Sequence, residues 1–168
     1  MSLISFVKEA GEKLFGRGQA QAAMKEAAAA PDDGSKVKAA NDAASDAILD
    51  YIKAQNLSAT GLTVTFDGAS ATVTLYGVAP DQATKEKIAL CAGNVAGVTA
   101  VNNMMSVDQS APEATYYTVV SGDNLSKISK AHYGDPNKYM VIFEANRPML
   151  QHPDKIYPGQ VLRIPPLP

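Results

Sequence analysis

Two short stretches of this chain alternate apolar and polar residues one by one, and they constrain its fold more than any other feature. They are residues 62–66 (Leu-Thr-Val-Thr-Phe) and 71–75 (Ala-Thr-Val-Thr-Leu). A period of two places successive side chains on opposite faces of a strand, so each stretch predicts a strand with one buried face. Asp67-Gly68 between them is a hairpin signal. The sequence therefore predicts a hairpin whose apolar face must be covered by other elements.

Helical patterns lie on both sides of this hairpin. Residues 36–55 carry apolar side chains at spacings of three and four, which is typical of an amphipathic helix. A further helix is predicted over 80–91, with Pro80 near its start, and a strand over 98–107 follows. The order αββαβ makes residues 36–108 an α+β module.

The chain before residue 36 is harder to assign to a packed element. Residues 3–15 have helical period and precede Gly16, so we expect an N-terminal amphipathic helix over residues 1–16. Residues 17–35 are alanine-rich with few large apolar residues, and they predict a weakly packed, partly helical insertion.

A second small module is predicted at the C-terminal end. Residues 109–115 are small, polar and proline-containing, as in a linker, and residues 116–168 form the module. Its predicted elements are a strand over 116–120, helices over 125–133 and 137–146, and a strand over 160–164. The order is βααβ.

Composition excludes several classes of function. The 15 Lys and Arg do not exceed the 17 Asp and Glu, and the net charge of -2 argues against a nucleic-acid partner. No stretch approaches the roughly 18 apolar residues of a membrane span. Charges at Lys8 and Glu9 interrupt the N-terminal segment, which therefore does not resemble a signal peptide. We expect a monomer located in the cytoplasm, where the single Cys91 would stay reduced.

No catalytic constellation is evident in the sequence. His132 and His152 are far apart, with no Cys or carboxylate at metal-ligand spacing. Ser121 and Ser126 have no Ser-His-Asp context, and no phosphate-binding glycine loop is present. Cys91 lies on an apolar helix face without a neighbouring base, so we expect it in the core. The sequence predicts a protein that is not an enzyme.

Each module resembles a known family. The C-terminal one resembles LysM domains through residues 117–125 (Tyr-Thr-Val-Val-Ser-Gly-Asp-Asn-Leu), 142–146 (Ile-Phe-Glu-Ala-Asn) and 156–165 (Ile-Tyr-Pro-Gly-Gln-Val-Leu-Arg-Ile-Pro). The middle one resembles BON domains through its alternating strands and residues 93–101 (Gly-Asn-Val-Ala-Gly-Val-Thr-Ala-Val). LysM domains usually bind glycans that contain N-acetylglucosamine, in a groove between the segments matching Gly122–Leu125 and Met149–Ile156.

The pair of modules, headed by residues 6–14 (Phe-Val-Lys-Glu-Ala-Gly-Glu-Lys-Leu), resembles bacterial cytoplasmic potassium-binding proteins. That resemblance implies a K⁺ sensor or buffer that becomes more ordered when its BON part binds the ion. It also implies ligands that are backbone carbonyls. The implied positions are Val7, Ala10 and Glu12 near the end of the first helix, and Gly93, Val95 and Val98 in the loop after the third.

The chemistry of the ion agrees with such a site. K⁺ is large and weakly polarising, and several neutral carbonyl oxygens suit it better than carboxylates do. Glycines at 93 and 97 would let loop carbonyls converge. On the residues alone, an ordinary helix-to-strand loop and a frayed helix end explain the same pattern. The alternatives are therefore a glycan-binding envelope protein acting through the LysM module, or docking of an unknown protein there.

Overall fold

The computed structural model describes the backbone of residues 2–5 and the whole of residues 34–168. The elements of the first module are β1 (Ser2–Ser5), α1 (Gly34–Ala54), β2 (Thr60–Asp67), β3 (Thr72–Asp81), α2 (Gln82–Gly93), β4 (Ala100–Asn103) and β5 (Ser106–Gln109). Those of the second module are β6 (Thr115–Thr118), α3 (Leu125–Tyr133), a short 3-10 helix (Pro136–Lys138), α4 (Tyr139–Ala145) and β7 (Val161–Ile164). The predicted α+β class and the orders αββαβ and βααβ are confirmed.

The predicted hairpin forms the centre of the first module. β2 and β3 pair antiparallel, with Val64 opposite Leu75 and Phe66 opposite Val73. All four side chains are buried, whereas the threonines between them lie on the other, more exposed face. Alternation in the sequence thus becomes one buried and one open face of the sheet.

The strand predicted over 98–107 is split into two. β4 and β5 both pair parallel with β3, β4 along its first half and β5 along its second. Between them the Met105 N–H donates to the side-chain oxygen of Asn103 at 3.2 Å and leaves the ladder. Parallel pairing needs a crossover, which α2 supplies.

Helices α1 and α2 cover the buried face of this sheet. Ile48 and Ile52 of α1 and Ile88 of α2 are fully buried against the strands. α2 begins two residues after Pro80, because Pro80 and Asp81 still belong to β3. The Asp81 carboxylate caps the helix by accepting the Thr84 N–H at 2.7 Å.

The prediction of an N-terminal helix is wrong for residues 2–5. Ser2–Ser5 form a strand that pairs antiparallel with β4, where Ser5 lies opposite Ala100. Without this partner, β4 would leave its outer N–H and C=O groups at the edge of the sheet, and pairing satisfies them. The rest of the predicted helix and the alanine-rich residues up to 33 lie outside the described residues.

The second module is built on an antiparallel pair, β6 and β7, with α4 packed against β7 and α3 packed against α4. Asn124 caps α3 through a 2.8 Å bond from the Lys127 N–H, and Gly134 ends the helix with a φ of +74°. Ile128, Ile142 and Leu162 form its separate buried core.

The two modules are in contact. Met149 and Val161 of the second module are buried within the core of the first, with Tyr116 packed alongside. Within the segment predicted as a linker, Ala114 is buried and its N–H donates to Glu86 at 3.0 Å. None of the helices that the structure describes combines the length and the apolar composition needed to cross a bilayer.

Candidate functional site

The last residue of α2, Gly93, and the loop after it carry three of the six predicted carbonyl positions. The side chains of Val95 and Val98 are buried to 1% exposure in the core of the first module, which fixes the loop in place. The Val98 N–H donates to the Val95 carbonyl at 3.1 Å, closing a tight turn. Gly97 in that turn has a φ of +95°, a conformation that favours glycine. A carbonyl oxygen has two lone pairs, so that of Val95 keeps acceptor capacity beyond this bond.

The other three predicted positions, Val7, Ala10 and Glu12, lie outside the described residues. The structure does describe the strand that precedes them in the sequence. β1 runs antiparallel to β4 and ends at Ser5, opposite Ala100. Ala100 follows Val98 by two residues, so the described end of β1 lies beside the end of β4 that adjoins the loop after α2.

The loop is also tied to the second module. Asn94 is buried to 5% exposure, and its side-chain Nδ2 donates to the Val161 carbonyl at 3.1 Å. The Val161 N–H donates back to Oδ1 of Asn94 at 3.3 Å. The carboxamide therefore pairs with the outer edge of β7 as a strand residue would. Sequence analysis missed Asn94, because its partner is 67 residues away.

A buried ion pair also joins α2 to β7. The Glu86 carboxylate on α2 accepts from Nε of Arg163 on β7, and both side chains are less than 9% exposed. The same carboxylate also accepts from Nε2 of Gln82 at 2.9 Å and from the Ala114 N–H at 3.0 Å. With all its donors supplied by the protein, this carboxylate has a structural role. Nothing in the local sequence pattern distinguished it from a surface glutamate.

The two segments expected to line a glycan groove contain residues that make contacts within the protein. Asp123 accepts the Tyr117 O–H at 2.8 Å and the Val120 N–H at 3.0 Å, and so shapes the first loop. In the second segment Met149 is 5% exposed, because it packs into the core of the first module. This side of the second module therefore contributes to the contact between modules.

The remaining candidate side chains, Cys91 and His132, make contacts within the protein. Burial raises the pKa of the Cys91 thiol to about 12, which makes it a poor nucleophile. His132 stands edge-on to the Tyr117 ring at 5.3 Å. Among residues 34–168, no group of three or more His, Cys, Asp or Glu side chains could hold a metal ion.

Comparison with known proteins gives both modules a family. The BON domain model matches residues 40–109, and the LysM domain model matches residues 117–165. Over 166 residues the chain is 43% identical to the potassium binding protein Kbp of Escherichia coli O6:H1 strain CFT073, covering 98% of this chain and 99% of that protein. The chain belongs to the Kbp family. An uncharacterized protein of Deinococcus radiodurans is 51% identical over 51 residues, which is 30% of this chain and 19% of that protein.

The likeness to Kbp extends over both modules and over the segment that precedes them. The BON match ends at Gln109, the last residue of β5, and so includes the loop after α2. The LysM match includes β7 and therefore the strand that Asn94 and Glu86 contact. The contact between modules thus lies within the part of the chain shared with Kbp.

Proposed function

We propose that this protein is a cytoplasmic K⁺-binding protein, a sensor or buffer of the ion, that becomes more ordered on binding. The identity of the ion rests on the near full-length similarity to Kbp. We propose a site in which the ion is surrounded by backbone carbonyls of the end of α2, of the loop after it and of the chain after β1. The positions are Val7, Ala10, Glu12, Gly93, Val95 and Val98.

The register of β1 on β4 is the observation that carries this location. Ser5 lies opposite Ala100, and the antiparallel direction of β1 points toward the end of β4 that follows Thr99 and Val98. Two residues of chain span at most about 7 Å, so Val7 remains within reach of the loop. The register of β1 therefore supports placing carbonyl groups that are far apart in sequence at one end of the sheet.

The composition of the loop supports a monovalent ion of low charge density. Val95, Ala96, Gly97 and Val98 offer neutral backbone oxygens and no side-chain charge. Such a site has little to offset the hydration energy of Na⁺ or Mg²⁺, which hold their water more tightly than K⁺ does. We propose a monomeric binding protein rather than an enzyme.

Thermal unfolding in KCl and in NaCl, at the same ionic strength and without other metals, tests this function. A ligand that binds only the folded state stabilises it by about 2.7 kcal/mol at ~100 times its Kd. KCl should therefore raise the Tm by several degrees above NaCl, with a shift that grows with K⁺ concentration. Melting curves that coincide in the two salts would contradict the proposal.

A second candidate function is glycan binding through the LysM module, favoured by the family match over residues 117–165. It requires an envelope location. Cell fractionation separates the two functions, because an envelope protein should sediment with the cell wall or membrane and a cytoplasmic ion sensor should not. Pull-down on insoluble peptidoglycan, with and without K⁺, gives an independent measure.

A further inference from the structure

Two asparagines hold the outer edge of β7 in the same way. Asn94 of the first module pairs through its carboxamide with the N–H and C=O of Val161, at 3.3 and 3.1 Å. Asn146 of the second module does the same with Arg163, at 2.7 and 2.8 Å. Both side chains are at most 5% exposed. One of these pairs lies within the second module, and the other joins the two modules.

The position of Asn94 gives its pair a consequence that the Asn146 pair lacks. Asn94 stands between Gly93 and Val95, two of the proposed K⁺ ligands. Two hydrogen bonds in opposite directions fix both the position and the rotation of its carboxamide. The Asn94 N–H is itself held by the Leu90 carbonyl at 3.0 Å. The peptide groups on either side of Asn94 therefore have little freedom to turn.

We infer that Asn94 is a positioning residue for K⁺: through Val161 it fixes the direction of the neighbouring carbonyls, so the second module sets the ion affinity of the first. This inference rests on the proposed function. A carbonyl site gains affinity when its oxygens are already aimed at the ion, because the ordering cost is then not met on binding. The carboxamide is neutral, so it orders the loop without adding charge beside the cation.

The ion pair between Glu86 and Arg163 makes this arrangement rigid. Glu86 lies eight residues before Asn94 on α2, and Arg163 lies two residues after Val161 on β7. The helix and the strand are thus joined at two points, and rotation of one module against the other would disturb both. Loop geometry and docking of the second module are consequently linked.

Asn94→Ala and Asn146→Ala form a matched pair of variants for testing the inference in the full chain. Each removes a buried carboxamide and its bonds to β7, so both should lower the Tm. Kd for K⁺ is measured by calorimetric titration at fixed ionic strength, at a temperature where each variant is folded. We expect Asn94→Ala to raise Kd by roughly tenfold, equivalent to about 1.4 kcal/mol, and Asn146→Ala to leave it within about twofold.

Two additions keep the test decisive if a variant folds poorly. Asn94→Ser retains a small polar residue that cannot span both groups of Val161, and should weaken K⁺ binding like the alanine variant. Asn124→Ala removes the cap of α3 in the second module, and serves as another control with unchanged Kd. In wild-type protein, adding K⁺ should shift the Val161 amide resonance, and this shift should be lost in the Asn94 variants.

The outcomes separate the inference from the function on which it rests. Equal Kd values for wild type and Asn94→Ala would overturn the positioning role while leaving K⁺ binding intact. An equal weakening by Asn94→Ala and by both controls would also overturn it, because the effect would then be general destabilisation. A wild-type protein that binds no K⁺ in the same titration would overturn the proposed function, and this inference with it.

Discussion

Glu86 and Arg163 form an ion pair that is almost fully enclosed where the two modules meet. The pair joins α2 to β7 across 77 residues of sequence. Desolvation of two charges is expensive, and here it is offset by their mutual attraction and by donors from Gln82 and Ala114 to the carboxylate. The buried network requires that the modules dock in one orientation, since any other would leave a charge without its partner.

Removing one member of this pair should destabilise the chain strongly. Arg163→Met leaves the Glu86 carboxylate buried beside fewer donors, and we expect the free energy of unfolding to fall by about 3–5 kcal/mol. The double variant Glu86→Leu with Arg163→Met should recover much of that loss, because neither charge remains. Urea unfolding measures both. As a control, Lys38→Ala breaks the exposed pair with Asp42 and should cost no more than about 0.5 kcal/mol. A double variant no more stable than the single one would contradict this account.

The buried thiol of Cys91 should make stability fall at alkaline pH. Burial raises its pKa from 9.0 to about 12, whereas the unfolded thiol titrates near the ordinary value. Below about pH 9 both states hold the proton. As the pH rises from about 9 toward 12, the unfolded state loses its proton first and is stabilised, so the free energy of unfolding decreases.

Cys91→Ser provides the comparison for that prediction. Serine does not titrate in this range, and it places a hydroxyl where the thiol hydrogen-bonds to the Tyr51 side chain. Urea unfolding at about pH 8 and about pH 10.5 should show a smaller pH dependence for the variant, whatever its absolute stability. Parallel pH profiles for the two proteins would show that Cys91 does not contribute.

Replacing Gly97 should weaken K⁺ binding more than replacing a glycine of similar positive φ elsewhere. Gly97 has a φ of +95° in the loop after α2, and Gly122 has +88° in the second module. Alanine at either position would be strained and should lower the Tm by a comparable amount. We expect only Gly97→Ala to raise the Kd for K⁺, by at least about tenfold, because of these two loops only the one with Gly97 carries proposed ligands. Glu12→Gln should retain most of the affinity, since the proposed oxygen there is a backbone one. Equal effects of the two glycine variants on Kd, or loss of binding in Glu12→Gln, would contradict the proposed ligand set.

Much of the local structure could be predicted from local patterns. The alternation over residues 62–66 and 71–75 predicted the hairpin and its buried face, and the structure has both. Asn124 caps α3, while the adjacent Asp123 accepts a bond from its own loop instead. Choosing between adjacent capping residues depends on backbone angles that neighbouring strands impose.

The start of the chain shows where such patterns fail. Residues 3–15 have helical period, yet Ser2–Ser5 pair with β4. A short segment has little helix stability by itself, and an open strand edge offers its backbone a partner for every group. The residues of the proposed ion site came from a resemblance and not from a local pattern. Among the described contacts, the pairing of Ser5 with Ala100 is the one that supports the proposal that its two halves lie together.

The sequence by itself determined the fold class and the order of the elements from α1 onward, apart from the division of one strand into β4 and β5, because apolar periodicity and turn residues act over a few neighbouring positions. It determined the two modules, βααβ after αββαβ, in the same way. Tertiary structure decided how they are joined. Asn94 can pair with Val161, and Glu86 with Arg163, only when α2 lies against β7. These partners are separated by 67 and 77 residues. No local pattern carries that information, since a buried polar group is stable only where the fold brings it a partner.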